Sequence, residues 1–192
     1  MITKFKIFLE SKHSSKEDIK YDCIMLYSDI NKKEWNKFLN LIDEEDLYLG
    51  SKEDIEKDEY GLEKDEHITL LYGIHSDEVD KKEVYNWLKT LEPIELELKN
   101  ISIFENDNYD VVKIDIKPTK ELLKYRKYAI KNFPNTQTYD EYKPHMTIAY
   151  CKKGTGKKYI QKLDDDTLLE FNEAVYSDYT YKKKYFKLSY IR

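Results

Sequence analysis

Two short segments with nearly the same sequence constrain how this chain folds: residues 67–70 read HITL and residues 145–148 read HMTI. Each lies in an apolar, β-prone run, HITLLYGI or HMTIAYC. Since side chains alternate across a strand, the histidine and threonine of each segment are predicted on one face, with the residues between them in a core. Two such strands side by side would place two imidazoles and two hydroxyls around one cleft. These four candidate catalytic residues are His67, Thr69, His145 and Thr147.

Composition alone does not account for the repetition. The chain has four histidines, and a random arrangement of its residues gives roughly 0.2 His-x-Thr segments per chain. Two imidazoles can supply one general base and one general acid near neutral pH without a metal. The alternative, two half-buried strands whose His and Thr share no role, stays open at this point.

The charge of the chain limits the partners that it can bind. Its 192 residues carry a formal net charge of −5, which disfavours binding to extended nucleic acid by phosphate neutralisation. A small anionic ligand in one local pocket is compatible with this charge. Arginine occurs only as Arg126 and Arg192, so lysine would have to supply a cationic contact with phosphate.

The sequence gives no indication of a metal site or a cofactor, because its histidines and cysteines are not clustered at ligand spacing. Cys23 and Cys151 lie in apolar runs, which predicts two buried free thiols, with a disulfide as the alternative. Residues 1–20 are predicted to be a short amphipathic extension rather than a signal peptide, and no membrane segment is visible. We therefore expect a cytoplasmic protein. The abundance of Lys, Ile, Asn and Tyr is typical of an AT-rich genome, viral or bacterial, and a viral protein would act in the host cytoplasm.

The hydrophobic pattern predicts one α+β domain over residues 1–192, with residues 21–192 as its core. Strands are predicted at residues 23–29, 67–73, 95–104, 111–116, 145–151, 168–177 and 184–191, and helices at 32–42, from Ser76 or Asp77 to Pro93, and from Pro118-Thr119 to about 132. The acidic stretch 43–66 is predicted to be a solvated loop leading into His67. The His-x-Thr segments lie 78 positions apart in similar surroundings, which indicates two pseudo-symmetric lobes.

These features resemble the 2H phosphoesterase superfamily, which has two His-x-Thr motifs on paired strands. The run ISIFENDNYDVVKIDI, a helix and then YKPHMTIAY are similar to that family's second lobe. HITLLYG after an acidic loop looks most like the branch of phage enzymes that destroy the cyclic nucleotide signals of bacterial defence (anti-CBASS enzymes). The resemblance implies two lobes of antiparallel sheet with outer helices around a central cleft. It also implies that the two histidines are catalytic and that the two threonines donate hydrogen bonds to phosphate. The acidic insertion and the shortage of arginine depart from the family pattern.

Residues near the motifs are weaker candidates for substrate contacts. Tyr139 and Tyr142 precede the second motif and could stack on a base, while Lys143 and Lys152 flank it and could attract phosphate. Tyr72 and Tyr150 each lie five residues after a motif histidine, so a regular strand would place them on the opposite face, in the core. His13 and His75 are predicted to be surface residues.

The function predicted from these residues and the resemblance is metal-independent hydrolysis of a cyclic nucleotide or cyclic oligonucleotide by two histidines. One alternative is a LigT-like RNA 2′,3′-cyclic phosphodiesterase or ligase, or a 2′,5′-oligoadenylate phosphodiesterase, acting on short RNA ends. Another is a sponge that binds cyclic nucleotides without turnover. Membranes and extended nucleic acid are not expected partners.

Overall fold

One antiparallel sheet organises the part of the chain that the computed structural model describes, residues 19–56, 60–137, 141–163 and 167–190. Its eight strands are β1 Tyr21–Ser28, β2 His67–His75, β3 Ile94–Glu105, β4 Tyr109–Lys117, β5 His145–Lys152, β6 Gln161–Lys162, β7 Leu168–Ser177 and β8 Lys183–Lys187. The spatial order is β2-β1-β7-β3-β4-β5, with β6 beside β3 and β8 beside β7. The two His-x-Thr strands, β2 and β5, therefore lie at opposite ends of this order.

Helices with side-chain caps connect the strands of each lobe. They are α1 Lys32–Leu39, α2 Lys52–Glu56, α3 Lys81–Leu88 and α4 Lys120–Asn132. Asn31, Asp80 and Thr119 accept hydrogen bonds from first-turn amides and begin α1, α3 and α4. The prediction that Ser76 or Asp77 caps α3 is wrong, because the chain first forms a turn on the carbonyl of His75. The predicted end of α1 at residue 42 is also three residues late.

The chain repeats one unit, which confirms the prediction of two pseudo-symmetric lobes. A strand, a helix and a His-x-Thr strand form β1-α1-β2 in the first lobe and β4-α4-β5 in the second. The sheet curves, so that β2 and β5 come into contact. Hydrogen bonds cross between the lobes, among them those from Glu63 N to Ile148 O (2.8 Å) and from Tyr142 Oη to Thr69 O (3.0 Å).

Loops cover the free edges of both His-x-Thr strands. Within the acidic stretch, Tyr48 N and Glu63 N donate to backbone carbonyls of β5, so part of this stretch is ordered rather than solvated. On β2, Thr136 N donates to Gly73 O (2.9 Å). Gly73 has φ +89°, and a Cβ there would lie 2.3 Å from Thr136 O, so only glycine permits this close approach.

The core lies between the sheet and its helices, and it contains the apolar residues of both motifs. Ile68, Leu70, Met146 and Ile148 are fully buried there, as predicted. Cys23 and Cys151 are buried free thiols. No helix among the described residues has the length and apolar character to cross a membrane.

A β-bulge follows the threonine in each motif and changes which side chains share a face. Thr69 pairs with Met25 while Leu71 pairs with Ile24, which leaves Leu70 as the extra residue. The register of β4 and β5 shifts at the same place, after Thr147. An extra residue reverses the alternation beyond it. The prediction that Tyr72 and Tyr150 face away from the histidines is therefore wrong.

Candidate active site

The two histidines are held in the same way. His67 Nδ1 lies 3.0 Å from Asp65 O, and His145 Nδ1 lies 2.7 Å from Lys143 O. Each partner is the carbonyl two residues earlier in the chain. Because a carbonyl oxygen only accepts, each Nδ1 donates, and the neutral ring keeps its basic nitrogen at Nε2. Both imidazoles are thus oriented alike before any ligand binds.

An aromatic ring from a neighbouring strand contacts each imidazole. Tyr27 on β1 stacks on His67 with ring centroids 5.2 Å apart, and Phe104 on β3 meets His145 edge-on at 5.0 Å. Such contacts fix the orientation of the imidazoles and exclude water from one side. His67 is fully buried, whereas His145 is partly exposed.

Burial lowers the pKa of both histidines. For His67 the desolvation exceeds the opposing effect of Asp65, and the positive charges of Lys183 and a protonated His145 lower the pKa further. Burial likewise lowers the pKa of His145 to about 4, although the hydrogen bond to Lys143 O opposes it. Because both pKa values are lowered, both rings are neutral at pH 7 when no anion is bound.

The two threonine hydroxyls lie on the same faces as the imidazoles. Thr69 Oγ1 is buried beside Cys23, where it lowers the pKa of the thiol against the larger effect of burial. Thr147 is also buried and pairs across the strands with Lys113. A hydroxyl fixed in this way can donate to a non-bridging phosphoryl oxygen.

Two lysines at the site, one buried and one partly buried, were not predicted from the sequence. Lys113 Nζ donates to Ser102 Oγ (2.7 Å) and forms an ion pair with Asp115 beside His145. Lys113 is only 3% exposed. Its position was open to prediction, since in VVKIDI it shares a strand face with Asp115 between apolar residues.

The second lysine, Lys183 on β8, has no comparable sequence signal. Its Nζ forms an ion pair with Asp65 and lies 2.8 Å from Tyr27 Oη, next to His67. Only the strand pairing of β7 with β8 brings it there. Glu63 lies buried nearby, and burial raises its pKa to about 8.

The other predicted substrate contacts have structural partners. Tyr142 donates its hydroxyl to Thr69 O, and its ring lies 4.2 Å from the Arg126 guanidinium, which itself donates to Leu70 O at the bulge. Lys143 is exposed and paired with Glu141. Both residues border the site, and Tyr142 holds the backbone of β2 at Thr69.

Lys152 and Tyr139 are not brought to the histidines by the described structure. Lys152 donates to Glu45 O, and it lies seven residues beyond His145, roughly 20 Å along the strand. Tyr139 and His13 are outside the described residues. His75 is partly buried and bonds to Thr136 at the far end of β2.

No group of three or more His, Cys, Asp or Glu side chains within the described ranges is arranged to hold a metal ion. The chemistry that this site offers consists of two oriented imidazoles, two hydroxyls and two ammonium groups on adjoining strands. This set suits an anion that must both gain and lose a proton during reaction.

A family model shows the family of the chain, and solved structures show its fold. A family model described as the 2′-5′ RNA ligase superfamily matches residues 56–173, a range that contains both motifs. A crystal structure described as a phosphoesterase superposes with a TM-score of 0.51 at 11% identity, covering 88% of this chain and 96% of that one. The apo form of LigT from E. coli gives 0.50 at 12% identity, covering 90% and 96%. At such identities the likeness concerns the fold alone. A comparison with curated protein sequences gives no match.

Proposed function

The chain belongs to the 2′-5′ RNA ligase superfamily, the 2H phosphoesterases, and we propose that it is a metal-independent phosphodiesterase acting on a cyclic nucleotide or cyclic oligonucleotide. One observation carries the proposal: two imidazoles, each donating Nδ1–H to the carbonyl two residues earlier, lie on strands that contact each other, and the charge of a protonated His145 lowers the pKa of His67.

Hydrolysis of a phosphodiester requires two proton transfers, and the two histidines can perform both. One neutral imidazole removes a proton from the attacking water or ribose hydroxyl while the new P–O bond forms. The other, as imidazolium, gives a proton to the leaving ribose oxygen as the old P–O bond breaks. Thr69 and Thr147 donate hydrogen bonds to the non-bridging oxygens, where negative charge increases in the transition state.

The substrate itself completes the required protonation state. Both rings are neutral in the empty site because burial lowers their pKa values. A bound phosphodiester brings a negative charge that favours one imidazolium, so binding at neutral pH takes up a proton. A mixed pair of one base and one acid then exists only when substrate is present.

The preference for a small cyclic substrate rests on charge and on the sequence resemblance. With a net charge of −5, the chain does not attract polyanionic RNA over long range. The HITLLYG segment after the acidic stretch resembles phage enzymes that remove cyclic nucleotide signals. We therefore include a cyclic defence signal among the proposed substrates.

A second candidate function is action on RNA ends that carry a 2′,3′-cyclic phosphate or a 2′,5′ linkage. The description of the matching family and the similarity to LigT favour it. Competition kinetics separate the two candidates. Action on RNA ends is the supported hypothesis if a short RNA with a 2′,3′-cyclic end has a higher kcat/KM than every cyclic di- or trinucleotide.

The activity test uses the purified full chain after dialysis against excess chelator. The panel contains 2′,3′-cyclic mononucleotides, 2′,5′-oligoadenylates, and cyclic di- and trinucleotides. We expect turnover of at least one cyclic substrate without added metal. Tight binding with no turnover would make the protein a sponge, and activity restored only by a divalent ion would contradict the metal-free mechanism.

A further inference from the structure

A concavity adjoins Thr69 on the face that carries the histidine. It is shallow and open to solvent. Its floor includes Cys23 and Met25 of β1, and Met25 is the direct cross-strand neighbour of Thr69. A group in this concavity would therefore lie within about one nucleoside length of a phosphate held by the Thr69 hydroxyl.

Tyrosine rings form the walls of the concavity. Tyr21 and Tyr72 come from β1 and β2, with ring centroids 5.7 Å apart, while Tyr179 and Tyr181 come from the turn between β7 and β8. Ser177 and Asp178 supply a polar rim. Flat aromatic walls, an apolar floor and a few polar groups are what a nucleobase requires of a binding site.

The turn that closes one side is held in an unusual conformation. Asp178 Oδ1 accepts hydrogen bonds from the backbone amides of Thr180 and Lys182, which fixes the turn. Tyr181 has φ +65°, a region where bulky side chains are rare and glycine is the usual residue. The presence of a tyrosine in this strained conformation indicates that its ring has a functional role.

The other lobe offers an internal comparison. Tyr109 and Tyr150 occupy the equivalent strand positions to Tyr21 and Tyr72, with ring centroids 5.6 Å apart. There, however, the protein supplies its own rings. Tyr48 and Tyr60 pack on that pair at centroid distances of 5.2 and 5.3 Å. Within the described ranges, the pair of the second lobe is packed under these two rings, whereas the pair of the first lobe borders the concavity.

A cation lies between the concavity and the histidine. Lys183 pairs across the strands with Ser177 on the rim, and its Nζ reaches Tyr27 and Asp65 beside His67. An ammonium group at this place can contact the phosphate that joins a base in the concavity to the reaction centre.

We propose that this concavity binds a nucleobase of the nucleotide whose phosphate lies at the two histidines. The inference rests on the proposed function, because it takes the anion at the histidines to be a nucleotide phosphate. Tyr72 and Tyr179 stack on the base, and Lys183 contacts the phosphate next to it. The first lobe therefore selects nucleotides over base-free phosphodiesters.

The test compares ligands that differ only by the base. Dissociation constants of AMP, UMP and ribose 5-phosphate are measured for the wild type by titration calorimetry. At least one nucleotide should bind on the order of 10-fold more tightly than ribose 5-phosphate, since stacking on an aromatic side chain contributes that much. Equal affinities for all three ligands would overturn the proposal.

Substitutions of single tyrosines show which residues produce the preference for nucleotides over ribose 5-phosphate. Tyr72→Ala should bring the affinity ratio of nucleotide to ribose 5-phosphate close to one while leaving ribose 5-phosphate binding unchanged. Tyr179→Ala, at an exposed turn position, should reduce the same ratio and guards against a folding defect in the first variant. The matched control Tyr150→Ala, in the covered pair of the other lobe, should keep the wild-type ratio. A ratio unchanged in both pocket variants, or lowered equally by Tyr150→Ala, would contradict the assignment.

The binding measurement also separates this inference from the proposed function. If the base effect and its loss in Tyr72→Ala are found but no phosphodiester is turned over, the concavity binds bases and the enzymatic proposal fails. If nucleotides are turned over without any base effect, the enzymatic proposal stands and the concavity has been assigned wrongly.

Discussion

The two lobes share one framework and differ in what surrounds it. Each has a histidine anchored through Nδ1 to a carbonyl two residues earlier, a threonine, and a bulge directly after that threonine. Each also has a lysine paired with an aspartate beside the imidazole, buried in the second lobe and partly buried in the first. The duplicated parts are those that proton transfer and charge stabilisation need.

The surroundings that are not duplicated lie further along each strand. The tyrosine pair of the first lobe borders an open concavity, and the pair of the second lobe is packed under Tyr48 and Tyr60. His67 is buried against Tyr27, whereas His145 is partly exposed beside Phe104. On the proposed function, the duplicated histidines and threonines perform the chemistry, and the proposed base site in the first lobe selects the substrate.

The largest effect is expected from removing either histidine. His67→Ala and His145→Ala should each lower kcat by roughly 10² to 10⁴-fold, because each removes one of two proton transfers. A p-nitrophenyl phosphodiester, whose leaving group needs no proton, should distinguish them. The variant lacking the acid should recover much of its activity on that substrate, and the variant lacking the base should not. Equal recovery by both variants would mean that the roles are not divided.

Replacing the threonines tests whether the two lobes contribute equally to transition-state stabilisation. Thr69→Val and Thr147→Val keep the β-branched shape but remove a donor to the phosphoryl oxygens. Each should cost about 1.5–4 kcal/mol of transition-state stabilisation, measured as a fall in kcat/KM. Unchanged kcat/KM together with a small shift in Tm would show that these threonines serve only as strand residues.

The two lysines should give the next largest effect. Lys113→Met and Lys183→Met each remove a cation beside one histidine, so KM should rise on the order of 10-fold. Each lysine also lowers the pKa of its neighbouring histidine. Its loss should therefore move one limb of the pH–kcat/KM profile to higher pH. A profile that stays in place with an unchanged KM would remove that lysine from the site.

The smallest effect is expected on the pH dependence of the free energy of unfolding. A histidine with a lowered pKa binds fewer protons in the folded state than in the unfolded state, so its contribution is full above about pH 6.5 and falls as the pH drops. The slope is at most about 1.4 kcal/mol per pH unit for each histidine. His67→Asn should flatten the fall in unfolding free energy between about pH 6.5 and 5, followed by urea denaturation. A slope equal to that of the wild type would mean that burial does not lower the pKa of His67.

The motifs and most strands could be predicted from the sequence because alternation within a strand is a local property. Residues 168–177 were predicted as a strand with the observed ends, and the apolar residues of both motifs lie in the core. The bulges could not be predicted, since the register depends on the partner strand, and they reversed the predicted faces of Tyr72 and Tyr150.

Lys183 and the turn tyrosines depend on the pairing of β7 with β8 at the far end of the chain. No local pattern links them to a histidine more than a hundred positions earlier. Lys113 is different, because a lysine inside the apolar run VVKIDI already indicates a buried charge with a partner.

The most direct test of the central claim, one acid–base site built from two equivalent halves, is the pH dependence of kcat/KM. It is measured on chelator-treated protein with the best cyclic nucleotide of the panel. We predict a bell-shaped profile with one ascending and one descending limb, both below the ordinary titration range of histidine because burial lowers the pKa of both rings in the free protein. Either histidine variant should have kcat lowered by roughly 10² to 10⁴-fold. A profile with a single limb, or a variant with near-wild-type kcat/KM, would contradict the claim.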